Sequence, residues 1–480
     1  MRSQKPKTCP PRQIRDLTTG SIPRHLIAFT LPMLAGSALQ TAYSFINAIW
    51  VGQYLGKADL AAITVSFPVI FVLMSLAGGL TLATNILMSQ YCGAKNDLQM
   101  RKVVQSSIPL IGSMSLLLLI VGEIFAPHIL QAMDTPQEVL LLAVPYLRIF
   151  LIALPFAFGV FLVSSMLRGI GDSTTPLYFQ TVSVVLAAAL DPLLMFGWLG
   201  FPRLGLNGTA WASVITQIGT VVAIYVYLHR KRSPVSPDWR RLNMDRETTL
   251  HTFKIGIPSA LQQSLVSVSM VFIISMVNRF GANATAAFGA ASRIDQLVIL
   301  PAQTLSMAIS TLSGQNIGAG KLPRVSQVFR WGVLISIGLT LVPSVLALTT
   351  PHWLLRIFTS DAAVIETGAN YLRTVGITYV FLAVAFAVNG VINGSGQTFM
   401  TTLFSLISLW LFRIPLAQFL SVRLHSVQGV WYAMALSFAV SMLASIIYYA
   451  SGHWKTQHII VQQPAPVDPV GIIGDEAGEM

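Results

Sequence analysis

Long apolar segments alternate with short polar connections over most of the 480-residue chain. A bilayer with a hydrocarbon core of about 30 Å needs a helix of about 20 mainly apolar residues, because every backbone donor and acceptor has to be satisfied inside the segment. The pattern therefore predicts an all-α integral membrane protein with twelve transmembrane helices. The predicted helices cover residues 25–50, 60–89, 103–125, 139–165, 176–200, 206–228, 252–280, 286–314, 328–349, 365–392, 400–422 and 429–450.

The basic residues in the connections predict the topology. If the N-terminus is cytoplasmic, about 21 of the 30 Lys and Arg residues lie in cytoplasmic segments and about 5 on the opposite side. This bias favours an even number of helices in the cell inner membrane, with both termini in the cytoplasm. The polar segments predict a tail (1–24), a linker (229–251) and a disordered C-terminal tail (452–480), which leave two lobes, 25–228 and 252–451.

Composition narrows the function classes. Hydrophobic residues make up 54% of the chain and charged residues only 10%, against roughly 25% charged residues in a soluble domain. The net charge of +12 does not predict a nucleic-acid partner, because the basic residues lie in short connections where they set topology. The two cysteines, Cys9 and Cys92, are far apart, and no metal cluster, nucleotide-binding motif or nucleophile–base pair is visible. We therefore expect neither an enzyme nor a bound cofactor.

An internal repeat relates the two halves of the chain. One offset, 394 − 169 = 225, persists through glycine and polar positions across six predicted helices, which a coincidence of hydropathy would not produce. Both halves hold six helices and begin on the same side, so we predict two pseudo-symmetric six-helix lobes related by an axis along the membrane normal. The pairs are Gly169 with Gly394, Gly171 with Gly396, Gln90 with Gln315, Tyr146 with Tyr371 and Arg148 with Arg373, and Pro32 pairs with Pro258 at an offset of 226.

Asp191 is the first candidate for function. It is a carboxylate within the fifth predicted helix, where an uncompensated charge costs several kcal/mol. Such a group can take up and release a proton, or it can stay charged by binding a cation. The alternative is a structural aspartate near a helix end, capped by water.

A second polar cluster is predicted in the other lobe. Asp295 and Arg293 lie in the eighth helix and Arg413 in the eleventh. Residues two apart point away from each other on a helix, so Arg413 is the better partner for Asp295 than Arg293. The pair is either functional or a static link that locks the lobe.

The first helix carries a polar face. Gln40, Tyr43 and Asn47 follow one another at spacings of three and four, which predicts that they line the cavity of the first lobe. Met195 is a further candidate for contact with a flat cationic substrate, although methionines in such helices also serve as packing. Pro32 removes a backbone hydrogen bond and predicts a bend, either static or part of a transport cycle.

Five segments resemble the multidrug and toxic compound extrusion (MATE) transporters, and more closely their DinF-like branch. They are LPMLAGSALQTAYSFINAIWVGQYLG (31–56), LRGIGDSTTP (167–176), LDPLLMFG (190–197), GLNGTAWAS (205–213) and SGQNIGAG (313–320). The resemblance implies an acidic residue of a cation site at Asp191 and a further position of that site at Thr209. Asn47 stands where the family usually has an Asp, and Ala187 where it has an Asn, which implies coupling through one carboxylate or coupling elsewhere.

These observations predict a cation-coupled antiporter with proton or sodium as the coupling ion. It would export organic, cationic or amphipathic, compounds by alternating access, as a monomer in the lipid bilayer with a small-molecule substrate and no nucleic acid. A flippase for a lipid-linked precursor is the alternative within the same superfamily. A membrane receptor or a pore without coupled transport is the alternative from another class.

Overall fold

A computed structural model describes residues 15–133, 135–240 and 242–455, and this part of the chain folds into α-helices without strands. Cys9, most of the predicted N-terminal tail and residues 456–480 lie outside the described residues. The helices are α1 Ile22–Tyr54, α2 Lys57–Gly93, α3 Asp97–Ala132, α4 Gln137–Gly169, α5 Thr174–Phe196, α6 Leu206–Arg230, α7 Arg246–Asn278, α8 Ala282–Gly318, α9 Leu322–Thr349, α10 Pro351–Arg356, α11 Ala362–Gly376, α12 Tyr379–Gly394, α13 Thr398–Ser405, α14 Ile414–Arg423 and α15 Gln428–Ser451.

The described helices confirm the predicted fold class. Eleven of them, counting α13 and α14 as one continuous helix, are long and apolar enough to cross a membrane, and the number is twelve if α11 and α12, which meet at a bend of 46°, are one span. We call the first six spans the N-lobe and the remaining ones the C-lobe. Within the N-lobe α4 packs against α2, α3 and α6, and within the C-lobe α12 packs against α8, α9 and α15.

The tenth and eleventh predicted helices are irregular. The tenth breaks after Gly376, where the Ser344 hydroxyl donates to the freed Gly376 carbonyl at 2.5 Å and so satisfies it inside the lobe. The eleventh contains a π-helical stretch, Leu406–Arg413, which joins α13 to α14. Pro415, two residues after this stretch, cannot donate to the ladder or tolerate the carbonyl four residues before it, which accounts for the widened turns.

The linker between the lobes is shorter than predicted, because α7 begins at Arg246. Asp245 caps this helix by accepting a bond from the Thr248 amide at 3.0 Å. The bonds from the Thr248 amide and hydroxyl hold the pKa of the Asp245 carboxyl below its usual range. Residues 246–251, assigned to the linker by hydropathy, are therefore the first turns of a membrane helix.

The lobes meet along α2 and α7, along α2 and α8, and along α1 and α8. Small residues permit the closest approach. A Cβ at Gly79 of α2 would lie 2.4 Å from the Gly256 carbonyl oxygen of α7, so only glycine fits there. In the repeat α7 corresponds to α1 and α8 to α2. The α1–α8 and α2–α7 contacts are therefore equivalent, as expected for a duplicated fold.

Candidate functional site

Asp191 is the centre of a polar cluster in the N-lobe. Its side chain is buried, and its Oδ2 accepts hydrogen bonds from the Tyr43 hydroxyl and the Asn47 amide, both at 3.0 Å. Tyr43 and Asn47 lie one turn apart on α1, and Asp191 lies on α5. The predicted polar face of the first helix therefore meets the predicted carboxylate, and Asn47 holds the acid by donating to it.

The second oxygen of Asp191 has a different environment. Oδ1 is buried and has no hydrogen-bond partner among the described residues. A buried carboxylate oxygen without a donor is costly unless a proton or a cation occupies it. The site can therefore accept one positive charge at this oxygen.

Two further helices enclose the cluster. Thr209 of α6 is buried, and its hydroxyl donates to the Leu206 carbonyl at 3.0 Å. Tyr146 of α4 is also buried and interacts with both Asp191 and Thr209. Sequence reasoning used Tyr146 only as a marker of the repeat and missed it as a neighbour of the acid, although a tyrosine kept in both halves was a usable signal.

Three other residues of the predicted N-lobe site lie outside the cluster. Gln40 is exposed, one turn before Tyr43. Met195 is fully buried in the hydrophobic core of the N-lobe, so it does not line an open cavity. It lies one turn after Asp191, on the side of α5 that packs into the core. Helix α1 continues through Pro32 as one helix of 33 residues.

The C-lobe cluster differs from the predicted direct ion pair. Both oxygens of the buried Asp295 accept phenol hydrogen bonds of 2.5 Å, one from Tyr371 and one from Tyr379. Among the described residues no ion pair within 4.0 Å joins Asp295 to an arginine. Arg413 interacts with it only at longer range, and Arg293 is exposed on the same helix.

The Arg413 side chain points to a different partner. Its Nε donates to the Ser437 hydroxyl at 2.7 Å, and its guanidinium lies over the Phe438 ring at 4.8 Å. Two phenols saturate the carboxylate, and α15 supplies the contacts of the guanidinium. This arrangement replaces the predicted pair and leaves both groups satisfied.

A symmetric pair of hydrogen bonds closes the lobes on one side of the membrane, where α2 and α8 end. The Gln90 amide of the N-lobe donates to the Gly394 carbonyl of the C-lobe at 2.9 Å, and the Gln315 amide donates to the Gly169 carbonyl at 2.9 Å. Both pairs obey the offset of 225 residues, since 315 − 90 and 394 − 169 are equal. We call these two bonds and the glycines beside them the latch.

The glycines of the latch are Gly93 and Gly318. A Cβ at Gly93 would lie 1.9 Å from the Gln315 carbonyl oxygen, and a Cβ at Gly318 would lie 1.9 Å from the Gln90 carbonyl oxygen. No other side chain fits at either position while the lobes are in contact. The latch is thus a shared contact that depends equally on both halves.

A segment before α1 covers the latch; we call residues 15–21 the strap. The Arg15 amide donates to the Ile170 carbonyl of the N-lobe at 3.2 Å, and the Leu17 amide donates to Oε1 of Gln315 in the C-lobe at 3.1 Å. Leu17 is fully buried, and the Lys321 ammonium donates to the Thr18 carbonyl at 3.0 Å. The strap therefore bonds to both lobes on the closed side.

Comparison with known proteins gives one consistent result. The sequence model of the MatE family matches residues 32–193 and, a second time, residues 258–419. The chain is 33% identical to the probable multidrug resistance protein YoeA of Bacillus subtilis over 444 residues, 92% of this chain and 96% of the relative. It is 26% identical to the probable multidrug resistance protein NorM of Thermotoga maritima over 463 residues, 92% and 95% of the two chains.

Solved structures agree on the fold. A crystal structure of a MATE transporter from Vibrio cholerae is similar to this chain with a TM-score of 0.84 and 22% identity, covering 92% of this chain and 100% of that one. The two matches of the family model fall one in each lobe, as the internal repeat predicts.

Proposed function

Because the chain belongs to the MatE family of membrane transporters, we propose that it exports organic compounds, cationic or amphipathic ones, in exchange for an inward proton or sodium ion. Two relatives, both named probable multidrug resistance proteins, support this substrate class. The observation that carries the coupling is Oδ1 of Asp191, buried without a partner while Oδ2 is bonded to α1.

Asp191 can link cation binding to the position of α1. An ionised carboxylate accepts hydrogen bonds that are about twice as strong as neutral ones, so Asp191 without a bound proton or cation holds Tyr43 and Asn47 firmly. A proton or cation at Oδ1 neutralises that charge and loosens the contact between α5 and α1. By linkage, a substrate that holds α1 against α5 weakens cation binding by the same free energy, which is the competition that an exchanger requires.

Helix α1 can pass this change on to the other lobe. It packs against α5 of its own lobe and against α8 and α9 of the C-lobe. On the closed side the strap precedes α1 directly and covers the latch. Movement of α1 therefore acts on the contact that has to open for the cavity to face the other side of the membrane.

The closed side is the cytoplasmic one in this proposal. The bias of basic residues places the N-terminus, and hence the strap and the ends of α2 and α8, in the cytoplasm. The described conformation would then face outward, ready to release substrate and take up a cation. One chain contains both lobes and the latch, which supports a monomer as the working unit.

Asn47 determines how many coupling ions the N-lobe site takes up in each transport cycle. It cannot titrate, so the N-lobe site has one ionisable carboxylate for coupling. A single carboxylate takes up one proton or one sodium ion in each cycle. We expect efflux to depend on the concentration of the driving ion with a Hill coefficient near one.

The test is efflux of ethidium from proteoliposomes under an imposed proton or sodium gradient. We expect Asp191→Asn to reduce gradient-driven efflux at least about tenfold, because the amide keeps an acceptor for α1 but carries no charge to exchange. Asp97→Asn is the matched control, since Asp97 is an exposed residue in the first turn of α3, and it should keep wild-type efflux.

Three results would contradict the proposal. Wild-type efflux that responds to neither gradient would exclude coupled export of this substrate class. Efflux by Asp191→Asn at the wild-type rate would move the coupling to another site. Transfer of a polyprenyl-linked sugar without ethidium efflux would favour the flippase instead.

A further inference from the structure

A second cavity lies in the C-lobe, on the closed side and away from Asp191. Its volume is about 600 Å³, and it lies between the first turns of α7 and the start of α13. Two basic residues line it, Lys254, which is exposed, and His251, which is half-buried. Its remaining lining includes the loop of residues 395–397 and apolar side chains of both helices.

The N-lobe counterpart of this cavity is filled by the strap. The loop 395–397 corresponds to residues 170–172 at the offset of 225, and there the Arg15 amide donates to the Ile170 carbonyl. A Cβ at Gly171 would lie 2.6 Å from the Arg15 carbonyl oxygen, so strap and loop are in direct contact. Leu17, two residues later, is fully buried in a cluster that includes residues of the C-lobe helices α8 and α9.

The histidines of the two lobes show the same contrast. His25 and His251 are related by 251 − 25 = 226, the offset that also relates Pro32 to Pro258. Nε2 of His25 is hydrogen-bonded to the Thr19 carbonyl of the strap at 2.7 Å. Nδ1 is buried without a partner among the described residues in both histidines, so the lobes differ in the bond of the strap to Nε2 of His25.

The chain segment that could serve as a second strap goes elsewhere. Before α7, the Asp245 amide donates to the Ser106 hydroxyl of α3 at 3.1 Å, and the same hydroxyl donates to the Asn243 carbonyl. Trp239 lines a groove on α3, α4 and α6. The linker thus packs on the N-lobe and leaves the C-lobe cavity open.

Three features of the open cavity select an anion. Lys254 replaces Ala28 of the N-lobe at the offset of 226, which adds a positive charge. The Gln397 side chain bonds to the Tyr448 hydroxyl and the His453 carbonyl, so it does not cap the first amides of α13. The residues that line the cavity include no acidic side chain in the described chain.

The rim selects an anion with an apolar tail. Ile257 is 53% exposed and Phe399 is 60% exposed, and both line the cavity. On the proposed topology, Phe399 at the start of α13 and Ile257 three turns into α7 lie near the cytoplasmic boundary between phospholipid phosphates and acyl chains. An ammonium and an imidazole beside two exposed apolar side chains fit the headgroup of a lipid better than a soluble anion.

We propose that this cavity binds the headgroup of an anionic phospholipid of the cytoplasmic leaflet. Lys254 and His251 contact the phosphate, the first turn of α13 donates to it, and Ile257 and Phe399 pack against the acyl chains. The lipid occupies the place that the strap fills in the N-lobe. It would lie beside Gly394, the C-lobe acceptor of the latch.

Native mass spectrometry of the full-length protein with phosphatidylglycerol tests this site. We expect Lys254→Gln to weaken lipid binding about fivefold, the usual effect of one basic residue at a membrane surface. Lys231→Gln removes an equally exposed cytoplasmic lysine outside the cavity and should bind like wild type. Phosphatidylcholine should bind equally to all three proteins.

Three outcomes would overturn the proposal. Equal losses in the Lys254 and Lys231 variants would show unspecific attraction to the membrane. Displacement of the lipid by millimolar inorganic phosphate would identify a soluble anion as the occupant. Residues 456–480 include four acidic residues. Several-fold tighter lipid binding by a chain ending at Lys455 would show that this segment occupies the cavity in the intact protein.

Discussion

The two lobes have one architecture but bury their acids in opposite states. Asp295 in the C-lobe has a phenol donor on each oxygen, whereas Asp191 in the N-lobe has two donors on one oxygen and none among the described residues on the other. A carboxylate with both oxygens bonded is held in place, and one with a free oxygen can exchange an ion. Duplication therefore preserved the helices while the two sites diverged.

The divergence is also visible in where the acids lie. Tyr146 and Tyr371 are repeat partners, and each lies beside the acid of its own lobe. The acids are not partners, because Asp191 is on α5 and Asp295 is on α8, which corresponds to α2 of the N-lobe. The repeat thus keeps a tyrosine beside each acid, whereas the acids themselves lie on helices that do not correspond.

Replacing the acids should separate their roles most clearly. Asp295→Ala leaves two buried phenols without an acceptor, and each should lower the free energy of unfolding by about 1–3 kcal/mol. Asp191→Ala removes the acceptor of only half-buried donors on α1, so it should lower the free energy of unfolding by less than about 1 kcal/mol. Thermal unfolding in detergent measures both. Equal losses would mean that the two carboxylates have the same structural role.

The latch should respond alike in both lobes, in contrast to the acids. Gly93→Ala and Gly318→Ala each place a methyl 1.9 Å from a backbone oxygen, so we expect both to open the closed side. Gly78→Ala is the matched control on α2, because nothing lies within 4 Å of its Cβ.

The reporter for this opening is Ser89→Cys in a background in which Cys9 and Cys92 are serine. Ser89 is fully buried between the lobes, against Gly314. Labelling by a membrane-impermeant maleimide from the cytoplasmic side should rise about tenfold in both latch variants and not in the control. A response of one variant alone would show that the latch is not symmetric.

The smallest expected effect comes from making the N-lobe site more acidic. Asn47→Asp places a second carboxylate beside Asp191, and two such groups cannot both stay ionised without a cation between them. Efflux should persist but depend more steeply on the driving ion, with a Hill coefficient above one. An unchanged coefficient would show that position 47 serves only to hold α1.

The sequence by itself determined the membrane class, the two lobes and the central acid. Hydropathy has a strong signal over about 20 residues, and one offset of 225 through polar positions identified the repeat. Asp191 is informative because an acid within an apolar span is energetically costly and therefore marks a candidate functional site. Spacing also placed Tyr43 and Asn47 on one face of α1, which meets Asp191 in the structure.

Only the tertiary structure decided which polar residues meet across the chain. Gln90 and Gly394 are 304 residues apart, and Leu17 and Gln315 are 298 apart, so no local pattern connects them. In a membrane protein the helix faces against lipid and against the other lobe are both mainly apolar, so hydropathy cannot distinguish them. That is why Met195 was assigned to a cavity and lies in the core, and why Asp295 bonds to two tyrosines instead of an arginine.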